Sequence, residues 1–256
     1  MKAVIFAGGL GTRLSEETSV RPKPMVEIGG RPILWHIMKL YSTHGITEFV
    51  ICAGYKGYVI KEYFANYFLH SCDVRFDLAR EKIKVINRRS EDWIVDVVDT
   101  GEEANTGGRL LAVKQFLGDD ASFCLTYGDG VGNIDITRLI KFHETHGCAA
   151  TLTAAAPSGR FGALDLNDTI VTEFREKPQG DGSYINAGFF VLNASVFQYL
   201  SSPTSVWETD GLGHLAQNGQ LRAFKHEGFW HPMDTLRDKI ILQEHWDSGN
   251  APWKIW

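Results

Sequence analysis

A glycine-rich segment that ends in a fixed positive charge lies close to the N-terminus. Residues 6–14 read FAGGLGTRL and directly follow the apolar run Ala3-Val4-Ile5, which is typical of a buried strand. Glycines after a strand permit positive φ and let backbone N–H groups come close to an anion. Thr12 adds a hydroxyl donor, and Arg13 adds a planar fork of donors that suits phosphate oxygens. The segment therefore has the chemistry of a phosphate-binding loop.

The segment matches neither of the two common phosphate-loop patterns. Leu14 stands where GxGxxG requires its last glycine, and Thr12 follows Gly11 where GxxxxGK[ST] requires a lysine. A tight strand-to-helix turn with a surface arginine is the alternative interpretation of the loop alone.

A second cation follows on a stiff segment, Arg21-Pro22-Lys23-Pro24. Pro22 fixes its own φ, and Pro24 is expected to push Lys23 into an extended conformation. A lysine on such a segment loses less entropy on binding than one on a flexible loop. By itself Lys23 reads as a solvated loop residue, but together with the glycine loop it favours a cradle for a polyphosphate.

Two aspartates remote in sequence are candidate metal ligands. Asp129 lies between glycines directly after a predicted strand, and Asp234 lies just before a predicted helix. Carboxylates suit Mg²⁺, which usually takes one or two of them together with waters and substrate phosphates. The alternatives are a turn residue for Asp129 and a helix N-cap for Asp234.

Composition excludes several classes of function. The 256 residues carry a net charge of −5, so nucleic acid and anionic membranes are not expected partners. The four scattered cysteines read as reduced core residues, and the chain opens with no signal-peptide pattern, so a cytoplasmic protein is expected. His143 and His146 near Cys148 lack a fourth zinc ligand and read as a solvated helix face. No Gly-x-Ser-x-Gly pattern of a hydrolase is present.

Short apolar runs alternate with helical patterns in the first half of the chain, which predicts parallel βαβ units. After Ala149 the pattern changes to strands with short connections. We therefore expect an α/β fold with a Rossmann-like mixed sheet, helices on both faces and added strands that form a second pocket. The predicted strands are 2–6, 48–52, 123–127, 149–156, 162–166, 170–175 and 185–192, and the predicted helices are 33–41, 58–70, 139–146 and 235–246.

We expect one domain over residues 1–256. Residues 1–148 would form a nucleotide-binding half, and residues 149–256 would shape a substrate pocket and carry the contacts for oligomerisation. Ligands in such sheets lie at the carboxyl ends of the strands, where the glycine segments 7–9, 53–57 and 127–130 fall.

Several longer segments carry a family resemblance. AGGLGTRL with the downstream RPKPM is similar to the signature of the sugar-1-phosphate nucleotidylyltransferases, whose fold is of the nucleotide-diphospho-sugar transferase type. Other segments resemble the branch of that family that transfers CMP from CTP to glucose 1-phosphate. These are DTG at 99–101 with TGGR at 106–109, LTYGDGV at 125–131, FREKPQGDGSYINAGFFVL at 174–192 and GFWHPMDTLRDK at 228–239.

The resemblance implies roles for individual residues. Arg13 and Lys23 would be catalytic, and Asp129 and Asp234 would hold Mg²⁺. Glu176, Lys177, Asn186 and Gly188 would bind the sugar phosphate. The nucleotide would be bound by Phe6, Ala7, Gly8, Gly9, Leu10, Gly11, Thr12, Arg13, Lys23, Thr106, Arg109 and Gly128.

The choice of cytosine comes from the resemblance and not from the chemistry of the residues. Arg109 could donate to O2 and N3 of cytosine, but uracil also offers O2. A uridylyl- or thymidylyltransferase, a non-catalytic nucleotide-sugar sensor and a glycosyltransferase therefore remain alternatives. At residues 207–212 the chain keeps Glu208 but departs from the Glu-Pro-Leu sequence usual in the family.

The resemblance also implies a wider setting. It suggests a homo-oligomer, with a hexamer as one candidate. It places the product in the synthesis of lipopolysaccharide O-antigen or a related bacterial surface polysaccharide.

Overall fold

The computed structural model describes residues 1–87, 90–118, 121–156, 163–167, 169–175 and 184–256. Its strands are β1 (Ala3–Ala7), β2 (Glu27–Ile28), β3 (Arg31–Pro32), β4 (Glu48–Ala53), β5 (Asp73–Asp77), β6 (Lys82–Asn87), β7 (Ile94–Asp99), β8 (Ser122–Tyr127), β9 (Gly130–Gly132), β10 (Ala150–Ala155), β11 (Ala163–Asn167), β12 (Ile170–Arg175), β13 (Ile185–Asn193), β14 (Leu221–His226) and β15 (Trp230–Pro232).

The α-helices surround this framework. They are α1 (Ser15–Thr18), α2 (Ile33–Thr43), α3 (Gly57–Ala65), α4 (Tyr67–Ser71), α5 (Thr106–Ala112), α6 (Ile136–His146), α7 (His214–Gln217) and α8 (Leu236–Asp247). Short 3₁₀ turns cover Thr12–Leu14, Lys23–Met25, Lys114–Phe116 and Ala194–Tyr199, and a π-helical turn covers Trp207–Gly213. No helix within the described residues is long and apolar enough to span a bilayer.

Among the described residues, seven strands form the main sheet in the order β14-β10-β13-β8-β1-β4-β7. β13 runs antiparallel to both of its neighbours, while the other paired neighbours run parallel. In the centre, Val4 of β1 pairs with Val50 of β4 and Leu125 of β8. The mixed α/β sheet is therefore confirmed, and its one reversed strand comes from the second half of the chain.

Both faces of the main sheet are buried, as a sheet covered on both sides requires. In β1, Ala3 and Ile5 pack into a core with α2, α6 and α8, whereas Val4 and Phe6 pack into a second core with α5 and α7. This explains why β1, β4 and β8 read as nearly continuous apolar runs. The prediction of helices on both faces is confirmed.

The structure differs from the sequence predictions at several boundaries. The helix predicted over 58–70 is two helices, α3 and α4, which meet at Asn66. Strands β5, β6, β7 and β14 were not predicted, because their residues are mostly exposed or half-buried and lack a strong apolar run. Helix α8 begins with Thr235 as its N-cap in a capping box with Asp238, so the N-cap interpretation of Asp234 is wrong.

The histidines of α6 form a hydrogen-bonded network with neighbouring polar groups. His146 Nδ1 accepts from the backbone N–H of Cys148, and its Nε2 lies 2.7 Å from the Thr151 hydroxyl. His143 bonds the same hydroxyl and Asn193 Oδ1. His143 is buried, so the prediction of a solvated helix face is wrong for it. Within the described residues no group of three potential ligands is placed to hold a metal ion.

The aromatic residues near the end of the chain pack on the body of the protein. Trp253 is buried, and its indole Nε1 donates to Nδ1 of the buried His36 over 3.4 Å. His36 Nε2 donates to the carbonyl of Ile28 at 2.9 Å, and Trp246 and Trp256 also lie against the His36 ring. The histidine thus joins α2, the β2–β3 hairpin and the tail.

Acid should destabilise the protein through His36. Burial lowers the pKa of His36 to about 4 from the ordinary 6.5. The unfolded chain therefore takes up the proton first as the pH falls, and stability present above about pH 6.5 is lost on the way down to pH 4. A difference of this size corresponds to about 3 kcal/mol of unfolding free energy. Urea unfolding at several pH values measures the slope.

The matched variant for this measurement is His36→Gln, which keeps an N–H donor but does not titrate. We expect it to be less stable than the wild type at pH 8 and to show a shallower loss of stability between pH 6.5 and 4. Parallel pH profiles of the two proteins would contradict the role of His36.

Candidate active site

The carboxyl ends of β1 and β8 meet at one edge of the main sheet and open into a cleft of about 420 Å³. This is where ligands bind in sheets of this type. The cleft brings together most of the residues singled out in the sequence. Those that line it are Phe6, Ala7, Gly8, Gly9, Gly11, Thr12, Arg13, Lys23, Thr106, Arg109, Gly128, Asp129 and Asp234.

The structure gives a physical reason why glycine is required at two positions of the loop. Gly11 has φ +64°, a region that side chains rarely adopt, and its carbonyl accepts from the N–H of Leu14 to close a 3₁₀ turn. A Cβ on Gly8 would lie 2.2 Å from Nη1 of Arg109. By contrast, a Cβ on Gly9 would meet nothing within 4 Å. The loop is therefore bare partly because of a turn and partly because an arginine packs behind it.

Lys23 lies at the centre of the charged part of the cleft. Its Nζ is 2.6 Å from Asp129 Oδ2 and 2.6 Å from Asp234 Oδ1, and its side chain is only 11% exposed. Burial alone would lower the pKa of Lys23, but the two carboxylates outweigh it and raise the pKa. Arg13 reaches the same group, with Nη1 3.2 Å from Asp234 Oδ2, although its side chain is 75% exposed.

The conformation of Lys23 differs from the prediction. The residue begins a 3₁₀ turn, closed by the N–H of Met25 to Pro22 O at 2.8 Å and by the N–H of Val26 to Lys23 O at 3.1 Å. Pro22 is the extended residue, with φ −69° and ψ 151°. The prediction that Pro24 holds Lys23 extended is therefore wrong, because these turn hydrogen bonds fix the backbone instead.

Separate elements position the two aspartates. Asp129 follows β8, and its carbonyl accepts from the N–H of Met233 at 2.7 Å, beside the pairing of β9 with β15. Asp234 precedes α8, where its N–H donates to the buried carboxylate of Asp238. Two hard oxygen donors that already share one cation fit a divalent metal such as Mg²⁺.

Arg109 on α5 ties together the loops behind the cleft and is only 5% exposed. Its Nη1 donates to the Thr100 hydroxyl and to Gly101 O, both at 2.7 Å, and lies 3.3 Å from Ala53 O. Its Nη2 donates to Gly8 O at 3.0 Å and to Glu102 O at 3.1 Å. Both terminal nitrogens are therefore engaged by the loops after β1, β4 and β7, and a contact of Arg109 with a base stays a prediction.

A second group of polar side chains borders the cleft near β13, and it adds Tyr127 and Glu208 to the predicted Thr106 and Asn186. The Tyr127 hydroxyl donates to Glu208 Oε1 at 2.5 Å, and the Thr106 hydroxyl donates to Glu208 Oε2 at 2.6 Å. Burial first and then the nearby Glu208 raise the pKa of Tyr127 well above its usual range. Asn186 lies 3.5 Å from the Tyr127 hydroxyl. Gly188 has φ +77°, and a Cβ there would lie 2.3 Å from the Tyr127 ring.

Some predicted site residues lie elsewhere. Leu10 is 56% exposed and is not among the residues that line the cleft. Asn186 and Gly188 are not among the residues that line the cleft, but both lie against Tyr127, which does line it. Glu176 and Lys177 lie outside the described residues.

Comparison with known proteins agrees with this architecture. The family model described as nucleotidyl transferase matches residues 2–235. The chain is 61% identical over 256 residues to the glucose-1-phosphate cytidylyltransferase of Salmonella typhimurium, with 100% of both chains covered. It is 42% identical over 257 residues to the probable glucose-1-phosphate cytidylyltransferase of Bacillus subtilis, again with 100% of both covered.

A solved structure gives the same fold. The crystal structure of HddC from Yersinia pseudotuberculosis matches with a TM-score of 0.70 at 24% identity, and the match covers 96% of this chain and 99% of that one. The fold, the family model and the two full-length relatives together show that the chain belongs to the nucleotidyl transferase family.

Proposed function

We propose that this protein transfers CMP from CTP to α-D-glucose 1-phosphate and releases pyrophosphate and CDP-glucose. The observation that carries the proposal is the placement of Arg13 and Lys23 beside the glycine loop, in one cleft with two carboxylates. The names of the two full-length relatives support the choice of both substrates.

The chemistry explains the composition of the cleft. A sugar phosphate is already ionised at neutral pH, so its oxygen can attack the α-phosphorus of the nucleotide without a general base. The obstacle is repulsion between two polyanions and the charge that builds on the leaving pyrophosphate. Fixed cations that are in place before the reaction offset both. Arg13 and Lys23 supply this charge beside backbone N–H groups of the loop.

We propose Asp129 and Asp234 as the ligands of Mg²⁺. Their carboxylates converge from separate elements on one cation, which is the arrangement that a divalent ion shared between protein and phosphate needs. When bound there, Mg²⁺ neutralises phosphate charge at the cleft.

The sugar phosphate and the nucleobase are assigned to separate groups of residues. We assign the sugar phosphate to Asn186 and Gly188, which contact Tyr127, and on the family resemblance also to Glu176 and Lys177. The nucleotide is assigned to the 1–148 half and the sugar to the 149–256 half, although Asp234 of the second half lines the nucleotide cleft. We assign the base to Thr106 and Arg109, which line the same cleft as the glycine loop.

The proposal is tested by supplying glucose 1-phosphate and Mg²⁺ with CTP, UTP, dTTP or ATP and measuring pyrophosphate release. CTP should be used at least about tenfold faster than the other nucleotides, which is about 1.4 kcal/mol of discrimination. Faster turnover with UTP or dTTP would overturn the base assignment. Binding of CTP without pyrophosphate release would indicate a sensor. Sugar transfer from CDP-glucose without pyrophosphate would indicate a glycosyltransferase.

We also propose a cytoplasmic homo-oligomer that feeds the synthesis of lipopolysaccharide O-antigen or a related surface polysaccharide. The β5–β6 hairpin supports self-association, because Phe76 and Ile83 pair across its strands and both are exposed, and Leu78 at its tip is 86% exposed. A two-stranded hairpin with an uncovered apolar face is marginal in water and gains stability when a partner covers it.

A further inference from the structure

Lys23 makes contacts that a phosphate-binding lysine does not need. Its ammonium lies 2.6 Å from one oxygen of each carboxylate that we assign to Mg²⁺. A divalent ion on Asp129 and Asp234 would need the same negative charge that the ammonium now neutralises. Because the Lys23 side chain is only 11% exposed, solvent screens this competition weakly.

The charges of the group are balanced. Asp129 and Asp234 carry two negative charges, and Lys23 and Arg13 carry two positive charges. A divalent ion that arrives alone must break two short ion pairs and then lie beside two cations. A nucleotide triphosphate changes this balance, because its phosphates give Lys23 and Arg13 new anionic partners and free the carboxylates.

We propose that Lys23 acts as an exchangeable counter-ion: it blocks the metal-binding carboxylates until nucleotide phosphates draw it away. This inference rests on the proposed function and adds the order in which the metal ion and the nucleotide bind. The protein takes its divalent ion together with the nucleotide and not before it. Lys23 thus has two alternative sets of partners, the carboxylates and the phosphates.

A direct test is the affinity of the protein for Mn²⁺ alone, with no nucleotide present, measured from the free-ion EPR signal. Lys23→Met keeps the aliphatic stem and leaves the carboxylates with one cation fewer. We expect this variant to bind Mn²⁺ at least about tenfold more tightly than the wild type. An affinity equal to or weaker than that of the wild type would overturn the proposal.

Two further variants locate the effect. Lys239→Met removes a different lysine, which lies on α8 and pairs with Glu17 and not with Asp129 or Asp234. This variant should leave the Mn²⁺ affinity within about twofold of the wild type. Asp129→Asn added to Lys23→Met should remove the gain. A gain that persists in this double variant would place the ion elsewhere and would overturn the proposal.

A second measurement needs no variant and so does not depend on whether Lys23→Met folds. Wild-type crystals soaked in Mn²⁺ alone should give no anomalous peak at Asp129 and Asp234. Crystals soaked in Mn²⁺ with CTP should give a peak there, with Lys23 Nζ moved from the carboxylates to a phosphate. A peak with Mn²⁺ alone, with Lys23 still between the carboxylates, would contradict the exchange.

Failure of this inference can be told apart from failure of the proposed function. If CTP supports CDP-glucose formation while Lys23→Met gains no Mn²⁺ affinity, the exchange is wrong and the function stands. If no nucleotide supports pyrophosphate release while the variant gains affinity, the function is wrong and the exchange stands.

Discussion

Lys23→Met should lower kcat for pyrophosphate release from CTP and glucose 1-phosphate by about two to three orders of magnitude. The ammonium is the most enclosed positive charge among those that we assign to the triphosphate, and it lies beside the glycine loop. Removing one charge aimed at a developing anion typically costs about 2.7–4 kcal/mol in the transition state. Initial rates at saturating concentrations of both substrates give kcat directly.

A matched control separates this effect from a general loss of stability. Lys39→Met removes a lysine that also forms a 2.6 Å ion pair, with Glu91, at a comparable degree of burial but away from the cleft. We expect its kcat to stay within about threefold of the wild type. Turnover of Lys23→Met close to that of Lys39→Met, with both variants folded by circular dichroism, would show that Lys23 plays no part in the reaction.

The parts of the site that were predictable from sequence share one physical property. The glycine loop, Gly128 and Asp129 each follow directly after a parallel strand, so the pattern that predicted the strands also predicted that these segments meet at one edge. Asp234 lies on the other half of the chain. Its place in the cleft follows from the pairing of β15 with β9, which no local pattern reveals. Its residue type made it a candidate metal ligand, and the family resemblance strengthened that interpretation.

The parts that could not be predicted depend on long-range side-chain contacts. Glu208 is 81 residues from Tyr127 and 102 residues from Thr106, and nothing in spacing or periodicity brings the three together. Lys23 shows the same limit. The prolines on either side of it were visible in the sequence, but its ion pairs to two remote carboxylates were not. The preserved Glu208 within an otherwise altered segment was the one available signal for the first of these groups.

Arg109 gives the sharpest contrast between a predicted role and an observed one. The sequence predicted that it contacts the nucleobase. In the structure its terminal nitrogens bond Gly8 O in the glycine loop, Ala53 O at the end of β4 and acceptors after β7. A single cationic side chain that bonds this many acceptors from different loops fixes the loops relative to each other. The two roles differ in a measurable quantity, the free energy of unfolding.

Arg109→Met should therefore lower the free energy of unfolding by about 3 kcal/mol or more, because hydrogen bonds to a charged group contribute about 1.5–3 kcal/mol each and the carbonyls of Gly8, Gly101 and Glu102 would each lose one donor. The KM for CTP should rise as well, since the glycine loop loses the side chain that packs behind Gly8. Urea unfolding and steady-state kinetics measure the two effects. A role limited to contact with the base would change KM and leave the unfolding free energy as it is.

The matched control is Arg222→Met. Arg222 also donates to backbone carbonyls, those of Gly219 and Leu221, but it is exposed on β14, far along the chain from the glycine loop. Its loss should change the unfolding free energy by no more than about 0.5 kcal/mol. If Arg109→Met were as stable as Arg222→Met, the loops at the sheet edge would have to be held by their backbone hydrogen bonds alone, such as Tyr55 N–H to Gly8 O at 3.2 Å. In that case the arginine would be free to serve the nucleotide.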